Sequence, residues 1–154
     1  MPDIFTRRKR SAVMAAIRSR GNKATELRLI QIFRANGITG WRRGFVTRGQ
    51  KTEDRRPKKP FSVRPDFVFL RLRLAVFVDG CFWHGCPRHA TWPKNRAAFW
   101  RTKIKGNKAR DREVGRHLRK LGWRVIRIWE HELLRRNEPR LMARLTKAFS
   151  HQKH

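Results

Sequence analysis

Residues 78–89, VDGCFWHGCPRH, crowd two cysteines, two histidines and an aspartate around two large aromatic side chains. A plain core segment would not carry so many metal-competent groups, and a plain turn would not carry Phe82 and Trp83. Cys81, Cys86 and His89 form C-x4-C-x2-H, three of the four ligands that tetrahedral zinc takes. His131 lies two residues past the run WRVIRIW, and a strand end is a place from which a side chain can reach a neighbouring loop to complete the set. Zinc there would pin the aromatic loop to a sheet. The plain alternative is a pair of free thiols in a reducing compartment. His84, between the cysteines, has three readings: a further ligand, a surface histidine, or a general acid/base whose ordinary pKa suits proton transfer.

Asp66 stands in RPDF, thirteen residues before Asp79. A carboxylate on one strand with a second group on the next is how many nucleases hold magnesium. Phosphodiester cleavage needs hard oxygen ligands, a polarised phosphate and an activated water. The usual nuclease pattern would continue with an acidic residue, any residue and then lysine. Asp79-Gly80-Cys81 lacks that lysine, so either the site is inactive or another group does its work.

The elements around these groups follow from periodicity. A helix is expected from Asn22 to about Asn36, stopped by Gly37, with Leu29, Ile30 and Phe33 inward and Glu26 in its first turn, where a carboxylate suits the helix dipole. Trp41 to Val46 reads as a strand, and residues 47–60 as a basic exposed loop. Asp66 to Leu70 and Leu74 to Val78 are nearly continuous apolar runs, as buried strands are, and Trp123 to Trp129 is a third. A last helix spans Pro139 to Phe149. Between Ala97 and Leu121, the residues Trp100, Ile104, Asn107, Asp111, Val114, Leu118 and Leu121 alternate spacings of four and three, so they share one helix face. Asn107 and Asp111 are polar residues in the middle of that face. Either a structural hydrogen-bond network or a site beneath the helix must satisfy them.

The chain of 154 residues is one domain's worth, and 39% apolar content is enough for one core. Its 40 Lys and Arg against 11 Asp and Glu give a formal charge of +29, so the expected partner is a polyanion. Arginine outnumbers lysine 28 to 12, which favours contacts to phosphates and base edges. Six Trp and ten Phe are too many for a disordered basic tail. No apolar run is long enough for a membrane span, and the basic N-terminus lacks the apolar region of a secretory signal. Two cysteines five positions apart do not make a secreted disulfide scaffold. The expected organisation is a basic arm over residues 1–21, solvated or lying as a helix on phosphates, a catalytic domain over 22–150, and a short tail at 151–154.

CFWHGCP, with RPDF upstream and GWRVIRIWE downstream, resembles the very-short-patch mismatch repair endonucleases, and MAAIRSRGNKATELRL is similar to the opening of that family. The likeness extends over roughly residues 7–149. It implies an α/β, restriction-endonuclease-like fold, a central mixed sheet flanked by helices, with a structural zinc site. It implies a monomeric enzyme of the bacterial cytoplasm and nucleoid that uses magnesium to nick double-stranded DNA 5′ to the thymine of a T:G mismatch, the product of 5-methylcytosine deamination. Carried over by motif, Asp66 is the metal carboxylate, the Val78 carbonyl completes the magnesium shell, and His84 is the general acid/base. Asn107 and Asp111 fall at positions that hold water on the metal, Glu26 at an acidic position near the site, and Lys103 near the scissile group. Phe82, Trp83 and Trp100 match residues that wedge into the duplex beside the mismatch, where a weakly stacked step opens at low cost. Zinc ligands vary between cysteine and histidine in the family, at the positions of Cys86, His89 and His131, and Asp79 stands where some members carry histidine. Two other functions fit the same composition: a nuclease of this fold that cuts other DNA structures, and a zinc-stabilised DNA-binding protein without catalysis.

Overall fold

The computed structural model describes residues 25–48, 62–89 and 94–150, together with Thr6 and Arg8. Asn22, most of the basic arm, the greater part of the 47–60 segment and the 151–154 tail lie outside the described residues. Helix α1 is Glu26–Ala35; strands β1 to β5 are Trp41–Arg42, Thr47–Arg48, Ser62–Val63, Phe67–Phe69 and Leu74–Asp79. Helix α2, Ala97–Lys120, leads into strand β6, Arg124–Trp129; two short 3-10 turns, Glu130–Leu133 and Arg135–Asn137, then lead into helix α3, Glu138–Ser150.

The main sheet has the order β1-β4-β5-β6. β1 with β4 and β4 with β5 are antiparallel, while β5 and β6 run parallel, joined by the α2 crossover. It is a mixed sheet with helices on both faces, as expected. Alternation along β5 and β6 sends the two strands' side chains to different layers. Val76, Val78, Ile126 and Ile128 face one core with Leu29, Ile32 and Phe33 of α1 and Leu141 and Leu145 of α3. Ala75, Phe77 and Val125 face the other, under Val114 and Leu118 of α2. Each fully buried Leu, Ile or Phe contributes roughly 1.5–3 kcal/mol by leaving water. The first core adds edge-on ring contacts of Phe33 with Phe67 and Phe69 at 5.5 and 5.7 Å.

Helices α1 and α2 stop by the same device. The N–H groups of Gly122 and Trp123 donate back to the carbonyls of Arg119 and Leu118, at 3.0 and 2.9 Å, and those of Gly37 and Ile38 do the same to Arg34 and Phe33. In each pair the residue after the glycine returns an apolar side chain to the core, so α2 ends where β6 must begin.

Two expectations are corrected. The continuous strand Trp41 to Val46 is only Trp41–Arg42, because Arg43 turns away to pair with Glu26 of α1. The chain extends again at Thr47–Arg48, which pairs antiparallel with Ser62–Val63. Thr47, placed in an exposed loop by its composition, is buried and donates its hydroxyl to the Val63 carbonyl at 3.2 Å. A turn-rich composition between positions 47 and 60 hid the short ladder that closes its two ends.

Candidate active site

Chemistry gathers at the C-terminal ends of the parallel pair β5 and β6. There Thr25, Glu26, Asp66, Val78, Asp79, Phe82, Trp83, His84, Asp111 and Arg127 line one cavity of about 820 Å³. Asp66 sits just before β4, antiparallel to the end of β5, and its Oδ2 accepts the Val78 N–H at 2.8 Å. Burial pushes its carboxyl up from the ordinary 3.8 to about 7; the Val78 N–H works against that shift, and the charge and hydrogen bond of Glu26 add to it. Glu26 is itself 5% exposed and paired with Arg43, so the first turn of α1 delivers a buried acid to the metal-competent carboxylate.

The second half of the cavity belongs to the loop after β5 and the middle of α2. His84 Nδ1 lies 2.6 Å from Asp111 Oδ2 and 3.9 Å from Asp79 Oδ1. Its Nε2 has no partner among the described residues. Burial pulls the His84 pKa down, but the Asp111 hydrogen bond and the charges of Asp79 and Asp111 overcome it and leave it raised. Asp79 is pushed up by burial and drawn back by His84 and Arg127. Asn107 donates Nδ2 to the Trp83 carbonyl at 2.8 Å, so it holds the backbone of the aromatic loop. The polar stripe in the middle of α2 is therefore a clamp on residues 83 and 84. Gly85 makes the clamp possible: a Cβ there would fall 2.8 Å from Ile104 and 2.5 Å from Lys108 of α2.

On the other side of the same loop, Cys81, Cys86, His89 and His131 come together with ligand atoms all within 4.8 Å of one another. Cys81 Sγ is 3.4 Å, and Cys86 Sγ 3.6 Å, from His131 Nδ1; Cys86 Sγ is 3.8 Å from His89 Nδ1. A tetrahedral ion with ordinary zinc–sulfur and zinc–nitrogen distances needs sulfur–nitrogen edges of about 3.5 Å, so this donor set fits zinc. Burial and the adjacent Cys86 raise the Cys81 thiol, and burial and His89 lower His131. The 3-10 turn after β6 is pinned for this purpose: Trp129 N–H donates to Glu132 at 2.7 Å, Asn137 Nδ2 to the His131 carbonyl at 2.7 Å, and Cys81 N–H to Glu130 at 3.3 Å.

Phe82, Trp83 and Trp100 meet edge to face, at 5.2, 5.4 and 5.9 Å between ring centres. Phe99, which the sequence reading passed over because it lies off the buried face of α2, joins them at 5.2 Å from Trp100 and is 45% exposed. Arg96 and Lys103 lie over its ring at 4.8 and 5.9 Å. The residues singled out by type and spacing, and those carried over by the family resemblance, thus fall in one region, Lys103 on its rim. Two were missed. Phe99 carried no spacing signal. Arg127 did: it is a charge inside WRVIRIW, on the strand face otherwise used by Val125 and Trp129.

The family model of the DNA mismatch endonuclease Vsr matches residues 2–89, more than half of the chain. The chain belongs to this family of mismatch endonucleases. It is similar to the DNA mismatch endonuclease Vsr of Escherichia coli, with 36% identity over 134 residues, 84% of this chain and 74% of that protein. The type II nicking enzyme V.NmeAIP of Neisseria meningitidis is 36% identical over 135 residues, 86% of this chain and 85% of its own. The type II nicking enzyme V.NaeI of Lentzea aerocolonigenes is 50% identical over 72 residues, which span 47% of this chain and 43% of that protein. Against V.NaeI and V.XorIIP of Xanthomonas oryzae, the matched segment spans about half of the relative's length, 43% and 57%. Among the described residues no helix is long and apolar enough to cross a membrane.

Proposed function

We propose that the protein is a magnesium-dependent endonuclease of restriction-endonuclease-like fold that nicks one strand of double-stranded DNA 5′ to the thymine of a T:G mismatch, in repair of deaminated 5-methylcytosine. The observation that carries this reading is the meeting, in one cavity beside the aromatic cluster, of Asp66 with the His84–Asp111 pair. A non-catalytic binder gains nothing from buried carboxylates aimed where a phosphate would sit, since they repel it.

Asp66 and the Val78 carbonyl would hold magnesium, which when bound supplies Lewis-acid polarisation of the scissile phosphate. The residues of the chain do the rest. Nε2 of His84 takes the proton of the attacking water, while Asp111 at Nδ1 fixes the ring and stabilises the imidazolium. Glu26 sets the charge state of Asp66. Asn107 fixes the loop that carries His84. Lys103 and the arginine-rich surface meet phosphates. Phe82, Trp83 and Trp100 wedge into the mismatched step, so weak pairing is read as a lower cost of unstacking. Cys81, Cys86, His89 and His131 would hold a structural zinc that ties the loop to the end of β6. The enzyme acts as a monomer on DNA in the bacterial cytoplasm.

The test is a pair of strand-labelled duplexes, one T:G mismatched and one matched, with and without magnesium at physiological salt. A magnesium-dependent cut confined to the thymine strand of the mismatch is expected. Equal cutting of both duplexes would remove the mismatch assignment, and binding without cutting would remove catalysis on these substrates.

A further inference from the structure

Asp79, His84 and Asp111 bring their ligand atoms within 4.8 Å of one another, the same closeness as the Cys/His set. By type and distance they could take a divalent ion. A side chain from β6 already sits among them. Arg127 Nη1 donates to both oxygens of Asp79, at 2.9 and 3.0 Å, and lies 3.4 Å from Asp111 Oδ1, while Nη2 donates to the Asp111 backbone carbonyl at 3.3 Å. The guanidinium is held from the other side by the ring of Phe77, 4.5 Å away and directly opposite Arg127 in the parallel register. Asp79 is 4% exposed, so its charge needs a fixed partner.

We infer that Arg127 is the resident cation of this cluster: a positioning residue that holds Asp111, and through it His84, while keeping a divalent ion out of three groups that would otherwise bind one. The part played in nicking rests on the function proposed above; the exclusion of metal does not. A planar fork is what the arrangement demands. Lysine could neutralise Asp79, but its single ammonium cannot hold both oxygens of Asp79 and the Asp111 backbone together.

Two measurements test this. The first is a calorimetric titration of DNA-free protein with Mn2+. Arg127→Met is expected to take up one more Mn2+ per chain than the unaltered protein, and Arg127→Met with Asp79→Asn is expected to lose the added site. Equal stoichiometry in the unaltered protein and Arg127→Met overturns the exclusion. The second is the single-turnover nicking rate with protein in excess. The neutral pair Arg127→Met with Asp79→Asn leaves no buried carboxylate unpaired, so it keeps the fold, checked by an unchanged Tm. Its rate is expected to fall at least about tenfold with the DNA Kd within about twofold, and Arg127→Lys to lie between it and the unaltered protein. A neutral pair that nicks at full rate, or that loses rate only in proportion to DNA binding, overturns the positioning role. If the unaltered protein nicks no duplex, the proposed function fails, and the Mn2+ count still decides whether Arg127 keeps metal out.

Discussion

The loop after β5 serves two clusters of opposite character. Cys81, Cys86, His89 and His131 are soft donors whose side chains, among the described residues, hydrogen-bond only with one another. Asp79, His84 and Asp111 are equally close together, but a guanidinium lies against them. Ligand spacing alone does not separate the two. Counter-charge does: among the described residues no guanidinium or ammonium hydrogen-bonds to the first set, whereas Arg127 is bonded into the second. The difference fits the proposed division, in which the first cluster holds the loop and the second works in it.

The largest effect should come from the first cluster. Zinc ligation in small domains is worth on the order of 10 kcal/mol, comparable to the whole stability of a domain. Stripping the metal with a strong chelator, or replacing Cys86 by Ser, is expected to abolish the cooperative thermal transition seen by circular dichroism. A metal-free chain that keeps its transition and its sheet signal would erase the contrast, because the Cys/His set would then be as dispensable to the fold as the acid/base set.

Asp66→Asn should do the reverse. Nicking is expected to drop by roughly a thousandfold or more, since the carboxylate proposed to hold magnesium is lost, while DNA affinity and fold persist. The pH dependence sharpens this. A carboxyl raised to about 7 must lose its proton to bind magnesium, so magnesium affinity should rise about tenfold per pH unit up to about 7 and level off above it. Without magnesium the sign inverts. A raised carboxyl pKa contributes stability that is full below 3.8 and is lost as pH rises through about 7. Asp66→Asn without magnesium, its Cys/His site left loaded, should therefore match the unaltered protein in Tm near pH 4 and exceed it at pH 8. An Asp66→Asn variant less stable at pH 8 would show that the charged carboxylate is held by compensating donors rather than awaiting a cation.

Much of this was legible in the residues. The long helix face from Trp100 to Leu121, the buried strands and the C-x4-C-x2-H triplet announce themselves by period or by type, while His131 joins the triplet only in the fold. The polar break at Asn107 and Asp111 left a hydrogen-bond network or a site beneath the helix open, and the two residues bond to the Trp83 carbonyl and to His84. What the chain did not announce was pairing across elements. Arg43 with Glu26 and Arg127 with Asp79 join residues 17 and 48 positions apart; the apolar run WRVIRIW marks Arg127, but in a chain with 28 arginines nothing names its partner, and Arg43 carries no such mark. The Thr47–Arg48 ladder was hidden for a related reason, since two residues are too few to show alternation.

The smallest effect concerns a residue in neither cluster. Phe99 is the most exposed part of the aromatic group, held edge-on against Trp100 and covered by Arg96 and Lys103. If it only props Trp100, an edge-to-face pair of this kind is worth about 0.5–1.5 kcal/mol, and a base stacked on it would add about 1–3 kcal/mol. Phe99→Ala is expected to weaken DNA binding a few-fold to about tenfold, with zinc content and the saturating single-turnover rate unchanged. Measuring Kd for matched and mismatched duplexes gives the finer result. An equal loss on both makes Phe99 part of the general cationic surface, whereas a loss confined to T:G extends the wedge outward along α2. A fall in the saturating rate would instead tie Phe99 to His84 through Trp100 and Trp83, and would draw the boundary of the working cluster wider than the cavity that Asp66 and Arg127 define.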